Sequence, residues 1–441
     1  MKVIILFIFI YIYESLADEK LFFSGHYRGR IDSYSGVNKN AYGDNSFNSS
    51  GIKKGKSNDK IFLQQIIAGV TYSPNDSLEY KLYMYDSRAW GYSAEDKFFI
   101  KNSATSDSYL MHYYDDHAEL FETYVRVKNI FNTKVTTTIG RQQLDYGDRR
   151  IFGPGRWGNT MGWLWDATHF SYKENKDFID VWYGQTRIKS QNDFSFFKKH
   201  RYQGIGIYSH FETKYSIIEP FAAWRNTMYD KVSPVENSYY LGTRIYDYKN
   251  RFIYDATVVK GFGEVGNLEI NSYAFALKAG IQFDTQYSPK LMAGYIYASG
   301  DGNSNDKTSN TFGAPFGAND GLHYGRMDVM IWQNMRDLQL TLNLKANKKT
   351  EIEFAYHNFN LANANDKWYG FNYSNKLSNN YTHIGDEYDV IVKHKLTKNI
   401  KLLGIFAYLN AGDFIKKNNI AQNESSKLFL QFMYMLNTDR L

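Results

Sequence analysis

The 441-residue sequence contains no cysteine and only six prolines. Without cysteine, the chain can hold neither a disulfide framework nor a cysteine-ligated metal. The net charge of +6 is small for this length and does not predict a nucleic-acid-binding surface. Long apolar runs are also missing, because beyond residue 17 no stretch reaches the roughly 18 apolar residues that a membrane-spanning helix needs.

Aromatic residues, in contrast, are abundant. The chain has 38 Tyr, 31 Phe and 8 Trp, yet its mean hydropathy is only −0.52. Many aromatic side chains on a hydrophilic background are typical of a transmembrane β-barrel, in which Tyr and Trp ring both membrane interfaces.

The N-terminus has the three parts of a secretory signal peptide. Lys2 supplies the positive charge, residues 3–13 form the apolar core, and Ser15 and Ala17 place small residues before a cleavage site. We therefore expect residues 1–17 to be a signal peptide and residues 18–441 to form the mature domain. The alternative, a short membrane anchor, is less favoured because the apolar core is short for a span.

Alternation with period two recurs along the mature chain. In residues 387–395, Tyr388, Val390 and Val392 alternate with charged neighbours, and residues 120–128 and 351–357 follow the same pattern. A soluble β-sandwich would bury the apolar face, whereas a wide barrel turns it to lipid and turns the charged face to the lumen.

The spacing of these segments favours the barrel. About 18 strands are predicted, near residues 21–34, 59–73, 77–91, 117–130, 133–146, 161–174, 177–188, 200–212, 214–227, 237–249, 251–263, 270–286, 289–300, 326–346, 349–361, 385–396, 399–411 and 426–438. Short connections alternate with long polar ones at 35–58, 92–116, 146–160, 301–325 and 362–384. The sequence thus predicts an all-β, transmembrane antiparallel β-barrel with short periplasmic turns and long external loops. Its lumen is too wide for strand side chains alone to fill, so it holds water unless loops fold in.

Two motifs lie outside this pattern. Residues 261–266, GFGEVG, match a dinucleotide-binding spacing, but a strand pattern follows where a helix is required. Asp301, Asn303 and Asn305 resemble the start of a calcium loop, although Phe312 stands where the bidentate Glu belongs. A plain solvated loop is the favoured interpretation, with loop-bound calcium as the alternative, and no other metal or cofactor is predicted.

Residues 140–157, GRQQLDYGDRRIFGPGRW, are the strongest candidate for a functional site. The arginines are Arg141, Arg149, Arg150 and Arg156, and Arg126 lies on the preceding predicted strand. A lipid-facing arginine near mid-membrane costs roughly 2–4 kcal/mol, so Arg141 is expected to face the lumen. One hypothesis is a positive path for an anionic solute. The other is an internal ladder that braces the lumen, in which the arginines pair with Glu122, Asp145, Asp148 and Asp166.

The string GRQQLDYGDRRIFG, followed by WDATHFSY, resembles the alginate export family, as do GYIYASGDGNSND and the later GDEYDV. The resemblance implies an 18-stranded outer-membrane barrel with a positively lined pore that its loops control. It also implies a set of lumen residues, namely Arg141, Asp145, Arg149, Asp166, Arg336, Glu387 and Asp389.

The predicted function is therefore a monomeric outer-membrane channel that passes anionic solutes, foremost in export of an alginate-like acidic polysaccharide. Uptake of small anionic or sugar-acid nutrients is the alternative. No G-x-S-x-G or H-E-x-x-H motif is present, so the chain is not expected to be an enzyme, and a barrel hydrolase or an adhesin is less favoured. The expected partners are outer-membrane lipid, the acidic polysaccharide or small anion, and periplasmic export proteins, but no nucleic acid.

Overall fold

A computed structural model describes most of the chain. The described residues are 21–36, 43–47, 53–54, 58–93, 100–101, 109–110, 114–155, 158–187, 194, 200–228, 235–303, 305–317, 320–371, 373–420 and 423–437. The predicted signal peptide and Arg156 lie outside them.

Within these residues the chain forms a closed antiparallel barrel of 18 strands. In chain order, β1 to β18 are Leu21–Ser35, Asp59–Asn75, Leu78–Trp90, Asp116–Val127, Val135–Gln142, Trp165–Glu174, Asp177–Arg187, His200–Glu212, Ile217–Thr227, Glu236–Asp247, Phe252–Val265, Leu268–Gln282, Lys290–Ala298, Met335–Asn347, Thr350–Leu361, His383–Lys395, Ile400–Ala411 and Glu424–Asn437. Each strand pairs with the next, and β1 closes the barrel against β18 from Ser24 opposite Asn437 to Ser35 opposite Ser426.

The predicted fold class is confirmed, and every predicted strand has its counterpart. The largest difference is β14, which was predicted to begin at residue 326 but begins at Met335. The intervening residues include the buried Met327, Met330 and Trp332, which belong to a loop that folds into the barrel. Apolar residues occur both in a membrane strand and in a loop packed inside the barrel, so the sequence pattern did not distinguish these two structures.

The described parts of the loops add only short elements. These are two small hairpins, Gly43–Phe47 with Lys53–Lys54 and Ile100–Lys101 with Tyr109–Leu110, the short strand Thr308–Ser309 parallel to β12, a 3₁₀ turn at Ile130–Asn132, and the helices α1 (Asp320–His323) and α2 (Asp413–Asn418). No helix in the described portion is long and apolar enough to cross a membrane.

The outer face of the barrel is apolar and the inner face is polar. In β18 the side chains of Leu428, Leu430 and Leu436 are each nearly half exposed, whereas the intervening Lys427 and Phe429 are buried. This distribution is the reverse of that in a soluble protein and is the one that a membrane barrel requires. Alternation along each strand produces it directly, because successive side chains point to opposite faces of the sheet.

The connections are sorted by the end of the barrel at which they lie. At one end, called the turn end, none of the eight connections between the described strands exceeds seven residues. At the other, called the loop end, most are long, and the longest is residues 299–334. The exception at the loop end is the two-residue turn 266–267 between β11 and β12. The GFGEVG motif forms the end of β11 and the first residue of this turn.

Candidate permeation path

Two long loops fold into the barrel from the loop end and meet there. Residues 143–164 and residues 299–334 are joined by backbone hydrogen bonds, in which Gly153 N donates to Phe316 O at 3.1 Å and Phe316 N donates to Ile151 O at 3.2 Å. Both Phe152 and Phe316 are buried. The lumen is therefore narrowed by loop backbone rather than filled by strand side chains, as the width of an 18-stranded barrel predicts.

Aromatic side chains pack this contact against one wall. The Phe316 ring lies 4.6 Å from the Trp165 ring, and the Phe152 ring lies 4.8 Å from the Trp182 ring, both in edge-on geometry. Edge-on aromatic pairs contribute about 0.5–1.5 kcal/mol each beyond their buried area. Trp165 and Trp182 thus pack the loops inside the barrel and do not belong to the aromatic residues that ring a membrane interface.

Carboxylates on β16 hold the 299–334 loop to the opposite wall. Glu387 Oε1 accepts the backbone N–H of Met327 at 2.7 Å, and Asp389 Oδ2 accepts that of Arg326 at 3.1 Å. Gly325, the residue before Arg326, has a φ of +84°, and a Cβ at this position would lie 2.5 Å from Glu387 Oε1. Both predicted acidic residues therefore lie in the lumen, where they bind loop backbone.

The 143–164 loop has its own attachment, on β2 and β3. The Asn159 side-chain amide donates to the carbonyls of Tyr114 at 2.6 Å and Arg88 at 3.1 Å. Its backbone carbonyl accepts from Gln65 Nε2 at 2.6 Å and from Ser87 Oγ at 2.7 Å. The loop is thus also fixed to the part of the wall formed by β2 and β3, close to the strand β5 from which it starts.

Arg150 occupies the place where the two loops meet. Its Nε binds Asp148 Oδ2 at 2.6 Å, its Nη1 donates to the Tyr324 hydroxyl at 3.0 Å, and its guanidinium stands 5.7 Å from the centre of the Trp332 ring. Burial acts to raise the pKa of Asp148, but the charge and hydrogen bond of Arg150 together with the Arg244 charge outweigh it, and that pKa lies below its usual value. Asp148 and Arg150 therefore form an ionised pair in the constriction.

Two cavities lie on either side of this constriction. The loop-side cavity has a volume of about 410 Å³ and the turn-side cavity about 430 Å³. Among the described residues, Arg150 and His323 are the two that line both cavities. Any solute that moves between the cavities passes these side chains.

The charges that line the cavities are unequal. In the loop-side cavity three arginines face one carboxylate, and these residues are Arg150, Arg201, Arg225 and Glu236. In the turn-side cavity, six basic residues (Arg150, Arg244, Lys278, Lys290, Arg326, Lys393) face five acidic ones (Asp148, Asp255, Glu351, Glu353, Asp389). Burial and the neighbouring Arg150 lower the pKa of His323 to about 3, so this imidazole is neutral near pH 7. Formal charge is thus positive in both cavities and most one-sided in the loop-side cavity.

Arg141 was expected to face the lumen, and the strand register places it otherwise. Arg141 stands opposite Asp166, on the face that carries the exposed Ile139 and Phe170, whereas Trp165 points inward. Its Nε binds Asp166 Oδ1 at 2.8 Å and its Nη1 binds Glu119, so the side chain is only 5% exposed. Arg141 lies at the end of the β4–β5 ladder and is paired with two carboxylates. It therefore avoids the free-energy cost of a lipid-facing arginine near mid-membrane, on which the prediction of a lumen position rested.

Arg336 also departs from the expected lumen set. It shares the outward parity of Leu338 and Leu340, and its Nε donates to the carbonyl of Leu361 at 3.1 Å. It lies at the second position of β14, near the loop end. The neighbouring Asp337 takes the inward position that Arg336 was expected to take.

The remaining predicted residues form ion pairs that line neither cavity. Arg126 Nη1 binds Glu79 at 2.7 Å close to the turn end. Arg149 Nε binds Asp145 at 2.6 Å. Glu122 pairs with Lys81. Of the predicted arginines that the structure describes, Arg150 is thus the one that lines a cavity. Of the pairs that the ladder hypothesis named, Arg141–Asp166, Arg149–Asp145 and Arg150–Asp148 are present, whereas Glu122 pairs with a lysine instead of an arginine.

Four further residues line the cavities and were not predicted from the sequence, namely Arg201, Arg225, Arg244 and His323. Arg225 Nη1 donates to Pro315 O at 2.6 Å, and Arg244 binds Asp255 through two bonds of 2.7 and 2.9 Å. Arg225 follows Trp224 and Arg244 precedes Ile245, so alternation gave a partial signal for both. The role of His323 depends on a loop fold that periodicity does not report.

Asp301 and Asn303 accept backbone N–H groups from residues 303 and 305, at 3.1 and 3.2 Å. These are the local turns that such residues form in solvated loops. Across the described ranges, no group of three or more His, Asp or Glu side chains has metal-binding geometry.

Comparisons with known proteins agree with the barrel. A profile of the family described as alginate export matches residues 51–429. Pseudomonas aeruginosa OccK5 (OpdH) superimposes with a TM-score of 0.60 at 8% identity, over 95% of this chain and 98% of that one. OccK11 (OpdR) and OccK2 (OpdF) in complex with glucuronate, from the same organism, both have TM-scores of 0.57, at 10% and 12% identity, over 95% of this chain and 96% and 99% of theirs. None of the curated proteins matches the chain significantly.

Proposed function

Because the chain belongs to the alginate export family and is an outer-membrane channel, we propose that it selects anions and passes small sugar acids through the Arg150 constriction. Family and fold are those of channel porins, which are not enzymes. The observation that carries the proposal is the position of Arg150, which lines both cavities with an excess of basic over acidic residues on each side.

The charge of the path supports anion selection. A guanidinium stays ionised at every relevant pH and offers two parallel hydrogen bonds to a carboxylate. Cation-lined pores favour anions, and passage requires several weak contacts rather than one tight site. The arginines of the loop-side cavity and the lysines of the turn-side cavity supply such a series.

The dimensions support a small solute. Cavities of about 410 and 430 Å³ lie within the range of about 300–1,000 Å³ that encloses small molecules. A long polymer needs a continuous tube, whereas here two hydrogen-bonded loops separate the cavities. The structurally similar OccK2 was crystallised in complex with glucuronate, which is a small sugar acid.

Export of an acidic polysaccharide is the second candidate, and membership of the alginate export family favours it. It requires the 143–164 and 299–334 loops to separate during transport. Periplasmic export partners would belong to this candidate and not to the first.

Planar-bilayer recording tests both candidates. In a KCl gradient the wild-type channel is expected to be anion-selective, and cation selectivity would overturn the proposal. Uronate monomers and oligomers of increasing length are then added as blockers. Block by monomers that does not strengthen with length supports small-solute passage, whereas block that grows progressively with length supports polymer transport.

A further inference from the structure

A β-bulge aims Arg201 into the path. On β8, Tyr202 pairs with Thr186 of β7 while His200 pairs with Arg187, so Arg201 is an extra residue without a partner on β7. A bulge of this kind turns a side chain away from the face that alternation would assign to it. Alternation assigns Arg201 to the outward face of Ile205, but Arg201 instead lines the loop-side cavity.

The side chain has a fixed position there. Its guanidinium stacks on the Tyr202 ring at 4.9 Å from the ring centre. The Trp163 ring lies 6.1 Å from that of Tyr202, inclined by 46°, and also lines the cavity. Two aromatic side chains thus border the cation on one wall.

Arg201 differs from the other arginines of the cavity in its bonding. Arg225 is occupied by Glu236 and by the carbonyls of Ala314 and Pro315, and Arg150 by Asp148 and Tyr324. Arg201 Nε is buried and has no hydrogen-bond partner among the described residues. A buried donor without a partner costs roughly 1–3 kcal/mol, and a ligand that accepts from it recovers that cost.

We propose that Arg201, Tyr202 and Trp163 form a binding subsite for the carboxylate and ring of a sugar acid, on the loop side of the constriction. Arg201 binds the carboxylate in the two-bond geometry of guanidinium–carboxylate pairs. Trp163 supplies the apolar surface against which the less polar face of a sugar ring packs, while the buried Tyr202 ring, which lies under both Arg201 and Arg225, holds Arg201 in place. The subsite rests on the proposed function, since it concentrates the solute that the channel passes.

The experiment measures block of single-channel current by glucuronate added at the loop side. Glucose, which has the ring without the carboxylate, and acetate, which has the carboxylate without the ring, are the comparison solutes. Wild-type channels are expected to be blocked by glucuronate at concentrations at which neither comparison solute acts. Equal block by all three would overturn the subsite.

Variants then test the residue. Arg201→Gln is expected to raise the half-blocking concentration of glucuronate about tenfold, since a hydrogen bond to a charged group contributes about that factor or more. Arg201→Lys, which keeps the charge but loses the planar fork, is expected to give an intermediate value. The matched control is Arg88→Gln, because Arg88 is exposed on the outward face, bound to Asp86, and lines neither cavity.

The outcomes separate the two proposals. Unchanged block in Arg201→Gln, or an equal change in Arg88→Gln, would overturn the subsite while the anion selectivity of the wild type still supports the proposed function. A cation-selective wild type would overturn the proposed function itself. Only folded barrels insert and conduct, so each recorded channel reports on folded protein.

Discussion

The ionised pair Asp148–Arg150 predicts two changes in selectivity of opposite sign. The pair is close to neutral from a distance because the two charged groups are 2.6 Å apart. Asp148→Asn leaves the Arg150 charge uncompensated, and Arg150→Gln leaves the Asp148 charge uncompensated. The first variant is expected to be more anion-selective than the wild type and the second less.

The size of the effect follows from the position of the pair. A unit charge about 5 Å from a permeating ion contributes about 0.8 kcal/mol in water and about 3 kcal/mol at an effective dielectric of 20. Because that charge favours the anion and disfavours the cation equally, the ratio of anion to cation permeability should change at least about sixteenfold in Asp148→Asn. The opposite shift in Arg150→Gln should be smaller, because the neighbouring Arg244 charge remains and offsets part of the Asp148 charge.

Reversal potentials in a KCl gradient measure both shifts. The double variant Asp148→Asn/Arg150→Gln serves as the control, since it removes both charges and is expected to return close to the wild-type selectivity. Breaking one partner of a buried pair costs about 3–5 kcal/mol, so yields of the single variants are expected to fall. Shifts of the same sign in the two single variants, or no shift in either, would refute the placement of this pair on the ion path.

Three further predictions concern the loops. The pKa of His323 is lowered to about 3 in the docked loop, so below pH about 6.5 the docked loop binds fewer protons than a released loop does. Acidification to pH 5 should therefore weaken docking by up to about 1.4 kcal/mol per pH unit and raise the conductance. An acid response in His323→Gln equal to that of the wild type would contradict this. Gly325→Ala places a Cβ against Glu387 at a residue with positive φ, and this strain should destabilise the docked loop by about 1–3 kcal/mol. Open-channel noise is then expected to increase. Unchanged recordings would show that the loop is not held at Glu387. Asn159→Ala removes the side-chain bonds of the 143–164 loop to the carbonyls of Arg88 and Tyr114, although the backbone bonds of residue 159 remain. It should lower the temperature at which the folded band disappears in gel mobility assays, and an unchanged midpoint would show that these bonds do not hold the loop.

Much of the barrel wall is predictable because its pattern is local. In residues 387–395 alternation alone separates the inward Glu387 and Asp389 from the outward Tyr388 and Val390, and the structure agrees. Each strand repeats that test within a few residues, which explains why the number of strands was predicted correctly. The sorting of short and long connections follows from the same count.

Local irregularities limit such predictions. Leu82 pairs with Thr123, but Met84 pairs with Leu120, so β4 contains one extra residue in a bulge. The bulge places Phe121 on the inner face, in contact with Tyr85, whereas alternation counted from Val125 predicts the outer face. The bulge at Arg201 has the same effect in β8. Alternation in the sequence does not reveal an inserted residue. The insertion moves a side chain to the other face of the sheet without changing the polar or apolar character of its neighbours.

The sequence by itself determined a wall of 18 strands, apolar outside and charged inside, with long loops at one end, because a two-residue period needs only adjacent residues. The tertiary structure decided which of the many charged side chains meet the path. Arg150 reaches it because residues about 160 positions apart, in the 143–164 and 299–334 loops, bind each other inside the barrel. Arg141 is held away from it by the strand register and by Glu119 and Asp166. Contacts between distant segments depend on loop closure and packing, and no local pattern encodes them.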